Sequence, residues 1–151
     1  MKKPVILLLM ITLISVGSIA IINAKANVSN NSSAISMQDD PADAKFPKGA
    51  KIYKEKCVAC HQTTGMGVPN AFPPLKDADY LFADKKRAVR QVLNGNNTPI
   101  TVNGATYTIP MPPQVDTHED AVAVINYVLN AWGNDGGTIK LEDVKDIKIV
   151  R

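Results

Sequence analysis

Apolar positions along the chain fall into three regimes. The first is nearly continuous. From Val5 to Ile22 the only interruptions are small residues, Thr12, Ser15, Gly17 and Ser18. Lys2 and Lys3 precede this run and Ala24-Lys25-Ala26 follows it. A basic start, an apolar stretch and a small-x-small site make residues 1–26 an export signal. The run is also long enough to cross a bilayer, so an uncleaved anchor through residues 4–24 is the competing reading. Either one places the remainder outside the cytoplasm, in a periplasm-like space, soluble or tethered to the inner membrane. The second regime, residues 27–44, reads NVSNNSSAISMQDDPADA and has no apolar period. Such a stretch cannot bury enough surface to offset its ordering entropy and is expected to be a flexible linker.

The third regime is periodic and predicts a mainly α domain over residues 45–133. One helix opens at Pro47, a residue suited to a first helical turn, and runs to about Cys57. A second follows Asp84 through KKRAVRQVL, with Ala88, Val89, Val92 and Leu93 on one side and Asn94-Gly95 as its stop. A third is announced by Thr117 and Asp120 at capping-box spacing. Its stripe is Ala121, Ile125, Val128 and Trp132, and Gly133 ends it. Between the last two, Asn103-Gly104 flanked by Val102, Tyr107 and Ile109 predicts a type I′ hairpin that delivers the chain to Met111. A tail, residues 134–151, carries Ile139, Leu141, Val144, Ile147 and Ile149, a set expected to pack over the domain or to dock a partner.

Length and composition narrow the field. At 151 residues a large multidomain enzyme is excluded, and 45% apolar with 21% charged residues is the balance of a globular chain. The formal charge of +3 owes three lysines to the first 26 residues, so the rest is neutral and nucleic acid is not an expected partner. Only two cysteines occur, Cys57 and Cys60, which rules out a disulfide scaffold.

Those two cysteines carry the chemistry. Cys57-Val58-Ala59-Cys60-His61 is a C-x-x-C-H run in an exported chain, the pattern of c-type haem attachment. Two thiols on one helical turn can each add to a vinyl group of the same macrocycle, and the next residue sets its imidazole under the iron. A disulfide here would close a tiny loop and staple little. A redox dithiol lacks its usual βαβ surroundings. Zinc wants about four ligands, and only His61 and His118 stand beside the two thiols. A large flat apolar cofactor also supplies buried surface that a small domain with 5% aromatic residues lacks.

For the opposite face of the iron, Met1, Met10 and Met37 lie before the domain, and Met66 is too near His61 to cross to that face easily. Met111 has ample chain and is stiffened by Pro110, Pro112 and Pro113. His118, read as solvent-facing in the first turn of its helix, is the lesser candidate. With imidazole and thioether filling both axial positions, no place remains for a substrate, which argues for an electron carrier rather than an enzyme.

With these residues in hand, the chain resembles a class I monohaem cytochrome c, similar to the haem domains that accompany bacterial respiratory and denitrification enzymes. The likeness rests on the C-x-x-C-H run, on Gly104-Ala-Thr-Tyr-Thr-Ile-Pro-Met-Pro-Pro113 and on Trp132-Gly133-Asn134. It implies three or more helices around one haem c, bound covalently through Cys57 and Cys60, with His61 and Met111 as axial ligands. It further implies that Pro73, in Pro73-Pro74-Leu75, accepts a hydrogen bond from His61 through its carbonyl. Gly49 and Tyr53 match the glycine and aromatic that meet the last helix, here near Tyr127.

The implied partners are a redox donor and acceptor, with the chain a monomer or part of a complex. The runner-up is a haem-bearing subunit of a larger dehydrogenase, oxidase or nitrite reductase complex. A haem enzyme or sensor with an open iron site is the third possibility. Lys45, Lys48, Lys51, Lys54 and Lys56, with Lys76, Lys85, Lys86, Arg87 and Arg90, form two basic groups that either steer an acidic partner or are solvated helix faces.

Overall fold

A computed structural model describes residues 40–150 of the chain. The export segment, 1–26, and most of the expected linker lie outside the described residues. Among the described residues no helix is long and apolar enough to cross a membrane.

Six helices and one hairpin follow in order: α1 (Pro41–Lys45), α2 (Pro47–Lys56), α3 (Val58–His61), α4 (Asp79–Ala83), α5 (Lys85–Asn94), β1 (Ile100–Val102), β2 (Ala105–Tyr107) and α6 (His118–Val128). Single 3₁₀ turns occur at Ala131–Gly133 and Leu141–Asp143. The mainly helical architecture with one small hairpin agrees with the sequence pattern.

The main packing joins α2 to α6 at a crossing that only glycine permits. A Cβ on Gly49 would lie 2.1 Å from the Ala123 carbonyl oxygen and 2.7 Å from Tyr127 Cβ. That closeness lets Tyr53 and Tyr127 stack at 5.5 Å between ring centroids, with Trp132 completing the cluster 5.0 Å from Tyr53. Helix α5 opens where Asp84 accepts from the Arg87 amide at 2.8 Å, and it buries Ala88, Val89, Val92 and Leu93. Helix α6 opens where Thr117 accepts from the Asp120 amide, and it buries Ala121, Val124, Ile125, Tyr127 and Val128.

The hairpin pairs Ile100 with Tyr107 and Val102 with Ala105. Its two turn residues, Asn103 and Gly104, both have positive φ, 49° and 81°, the type I′ geometry. Asn103 also docks the hairpin on α4, an element without a periodic signature. Its side chain accepts from the Asp79 amide at 3.0 Å, and Asp79 accepts from the Asn103 amide at 2.8 Å.

Three expectations need correction. The linker does not extend to residue 44. Asp40 caps α1 through the Ala42 amide, Asp43 pairs with Lys54, and Ala42 is buried. A polar stretch folds here because its partners lie elsewhere in the chain.

The third helix stops at Val128, short of Trp132. Trp132 takes a left-handed φ of 57°. Its amide donates to Asp40 at 2.5 Å and its indole to the Thr63 carbonyl at 2.9 Å, contacts a continued helix would forbid.

His118 is half-buried rather than solvent-facing, and its Nε2 lies 2.8 Å from the Ile147 carbonyl oxygen. The tail itself covers α5 and α6, with Ile139, Val144 and Ile147 buried.

The Gly49 crossing yields a test. Gly49→Ala must separate α2 from α6 and is expected to cost about 1–3 kcal/mol of unfolding free energy, the usual range for overpacking, read by denaturant titration.

Candidate functional site

Helices α5 and α6 do not close on the hairpin and the C-x-x-C-H segment. Between them lies an apolar cleft of about 1210 Å³, counting its open mouth. Leu81, Val92, Val102, Tyr107, Ile125 and Val128 are among its walls, and Cys57, Cys60, His61, Pro73 and Met111 all face it. Residues spread over half the sequence thus meet at one surface.

Local backbone geometry presents the C-x-x-C-H run. Helix α3 is a single turn, closed by the His61 amide donating to the Cys57 carbonyl at 2.9 Å. Neither cysteine is in a disulfide. Burial pushes the Cys57 thiol up to about 11, with Cys60 adding to the shift, so Cys57 is not the activated thiolate of a redox dithiol. Among the described residues no three His, Cys, Asp or Glu side chains converge on a metal position, which leaves the zinc reading short of ligands.

His61 Nδ1 lies 3.0 Å from the Pro73 carbonyl oxygen. A carbonyl only accepts, so Nδ1 carries the proton and Nε2 keeps a lone pair free to bind a metal. Burial lowers the affinity of this imidazole for a second proton, with the Pro73 bond opposing. The ring is therefore neutral at neutral pH. The loop that supplies the carbonyl is itself pinned: the Leu75 and Lys76 amides donate to the Gly65 carbonyl, and the Gly67 amide to that of His61. Gly67 has φ +64°, and a Cβ there would sit 2.3 Å from the Phe72 oxygen, so the loop needs glycine. Tyr53 reaches in from α2 and donates to the Gln62 carbonyl at 2.6 Å.

Met66 is 56% exposed and is not part of the cleft wall. Met111 is half-buried against it. Its backbone is held by a two-way pairing with Asn96, at 2.8 Å and 2.9 Å. Gly95 permits that approach, since a Cβ there would meet the Met111 oxygen at 2.6 Å.

The fit to a haem is chemical as well as spatial. One imidazole and one thioether, two thiols on adjacent chain, and walls that are otherwise mostly apolar, with Lys56, Gln91, Asn96 and Gln114 among them, match what an iron porphyrin with vinyl and propionate groups would contact.

Two features escaped the sequence. Asn134 is buried at 7% exposure. Its amide group donates to the Leu75 and Val128 carbonyls and accepts from the Asp77 amide, tying the end of α6 to the loop beyond Pro73. Its one sequence signal was its place after Trp-Gly. The second is the pairing of the basic residues. Lys48 meets Asp120 at 2.7 Å, Lys86 meets Asp146 at 2.8 Å, and Lys54 meets Asp43. Much of the positive charge is thus balanced within the fold. Asn134→Ala is expected to lose about 1–3 kcal/mol of stability, because it leaves buried backbone groups unpaired, a loss visible in thermal or denaturant melts.

Comparison with known proteins agrees with this geometry. The family model described as Cytochrome c matches residues 46–132. Cytochrome c-552 of Thermus thermophilus is 36% identical over 91 residues, which is 57% of this chain and 69% of that protein. The cytochrome c subunit of the quinone alcohol dehydrogenase of Gluconobacter oxydans (strain 621H) is 26% identical over 103 residues, 66% of this chain. The present chain spans only 22% of that subunit. Subunit CcoP of the Cbb3-type cytochrome c oxidase of Azospirillum sp. (strain B510) is 41% identical over 69 residues, 40% of this chain and 23% of the subunit. An apolar cleft walled by a C-x-x-C-H turn and a methionine loop, and a match covering most of the domain, lead to one conclusion: the chain belongs to the cytochrome c family, as an electron-carrier domain bearing covalently attached haem c.

Proposed function

We propose that this protein carries single electrons between redox proteins outside the cytoplasm, on one haem c held by Cys57, Cys60, His61 and Met111. The observation that carries the reading is the shared cleft of these four side chains. Haem c, when bound, supplies a one-electron ferric/ferrous couple. Every other part of the task falls to the chain. Cys57 and Cys60 tether the group through thioethers. His61 offers Nε2 while its Nδ1–H donates to Pro73, which fixes ring orientation and raises ligand basicity. Met111 offers a soft sulfur, and an imidazole–thioether pair sets a comparatively high potential. Leu81, Val92, Ile125 and Val128 exclude water from the cleft. His61 and Met111 together would hold the iron from the chain and leave no place at it for a substrate. Contacts with donor and acceptor in such transfers are small and transient. Residues 1–26, read as an export signal, or residues 4–24, read as an anchor, support an exchange in a periplasm-like compartment.

A second reading is favoured by the names of two relatives, a dehydrogenase cytochrome c subunit and an oxidase subunit. On that reading the chain is the haem-bearing part of a larger oxidoreductase. Copurification with a catalytic subunit separates the two.

Two experiments test the main proposal. The oxidised protein is expected to show the long-wavelength sulfur-to-iron charge-transfer band, and Met111→Ala is expected to abolish it. Survival of the band in that variant would remove Met111 from the ligand set. The double variant Cys57→Ala, Cys60→Ala is expected to lose cooperative melting by circular dichroism, because the cleft walls then face water. Native-like melting of that variant would contradict the structural role given to the haem.

A further inference from the structure

The tail beyond Asn134 lies outside the span matched to the family, yet it is fastened with unusual care. Val144 is fully buried, and Ile139 and Ile147 nearly so. Asn126 brackets Ile139, donating to its carbonyl at 3.0 Å and accepting from its amide at 2.8 Å. Asn94 brackets the last residues in the same way, donating to the Lys148 carbonyl at 2.9 Å and accepting from the Val150 amide at 2.7 Å. His118 donates to the Ile147 carbonyl at 2.8 Å, and Lys86 pairs with Asp146.

Two of these fastening points have a particular place in the chain. Asn94 is the last residue of α5, and His118 is the first of α6. Between them runs the segment 95–117, which includes the hairpin and presents Met111 to the cleft. Next to Asn94, Gly95 and Asn96 form the backbone seat of Met111. On the far side of Met111, the Gln114 and Val115 amides donate to the Val92 carbonyl, two residues before Asn94 in α5. The tail therefore grips both roots of the methionine segment at once, through residues 147–150.

We infer that the tail from Thr138 to Val150 is a strap that keeps Met111 seated in the cleft, with Asn94 and His118 as positioning residues. The inference rests on Met111 being the axial donor. The physical basis is the conformational entropy of the segment. A loop whose two roots are fixed samples fewer states away from its seat, so less is lost each time the sulfur meets the iron. Each fastening hydrogen bond that is lost raises the population of the unseated segment by about two- to tenfold.

The test uses the intact haem protein and four variants: Asn94→Ala, His118→Leu, His118→Gln and a chain ended after Gly137. Two readouts follow Met111: the charge-transfer band during heating, and the rate at which the ferrous protein binds carbon monoxide, which must compete for the sixth position. Asn94→Ala, His118→Leu and the shortened chain are expected to lose the band below the temperature at which helical circular dichroism is lost. Carbon monoxide binding is expected to accelerate about two- to tenfold for each hydrogen bond removed. His118→Gln retains a side-chain N–H near the position of Nε2 and is expected to return both readouts to the parental values. Should the shortened chain not fold, the two point variants decide the matter. If the variants melt earlier but band loss still coincides with unfolding and the carbon monoxide rate is unchanged, the tail is ordinary packing and the inference falls alone. If the parental protein shows no band at all, the Met111 assignment and the strap fall together.

Discussion

An apolar cleft left open within the core is the constraint on which this fold depends. Leu81 on α4, Val92 on α5, Val102 and Tyr107 on the hairpin, and Ile125 and Val128 on α6 belong to one core and also line one cleft. A chain this small has little surplus apolar surface with which to fill such a space. The covalently attached haem of the family resolves the problem. Bound there, it would fill the cleft, with Leu81, Val92, Ile125 and Val128 as part of its enclosure. The tight α2–α6 crossing at Gly49 and the Tyr53–Tyr127–Trp132 cluster then form the rigid back of the molecule, on which the C-x-x-C-H turn is mounted.

Rigidity at the cleft comes mostly from side chains that imitate backbone. Asn94, Asn103, Asn126 and Asn134 each use both ends of the amide to pair with main chain elsewhere, at the tail, at α4 and at the loop beyond Pro73. An amide supplies donor and acceptor together, so one residue satisfies two otherwise unpaired groups where no sheet or helix continues. This suits a carrier whose iron environment must stay the same in both oxidation states. Charge plays a smaller part. Lys48 and Lys51 on α2 and Lys86 on α5 are matched with acidic neighbours in exposed pairs, which contribute little to stability.

Much of the local structure was legible in the chain. The starts of α5 and α6 followed from Asp84 and Thr117, because a capping side chain acts within three residues. The hairpin followed from Asn103-Gly104, because few residue pairs tolerate two successive positive φ values. The attachment run was legible for the same reason, since its geometry is contained in five consecutive residues. Helix α4 was not, being too short to show a period. The fold of residues 40–45 was hidden by their polarity, and the end of α6 by an apolar stripe that continued past it to Trp132.

Sequence by itself determined the chemistry of the site and the kinds of element around it, because thiols, imidazole, caps and turns are specified by near neighbours. Only the tertiary structure decided which distant groups complete them. Trp132 leaves its helix to meet Asp40, 92 positions away. Asn94 grips residues more than fifty positions downstream. Pro73, rather than Pro74, has the carbonyl within reach of His61 Nδ1. Such pairings depend on how whole elements pack, and no periodicity within a window of the chain encodes them.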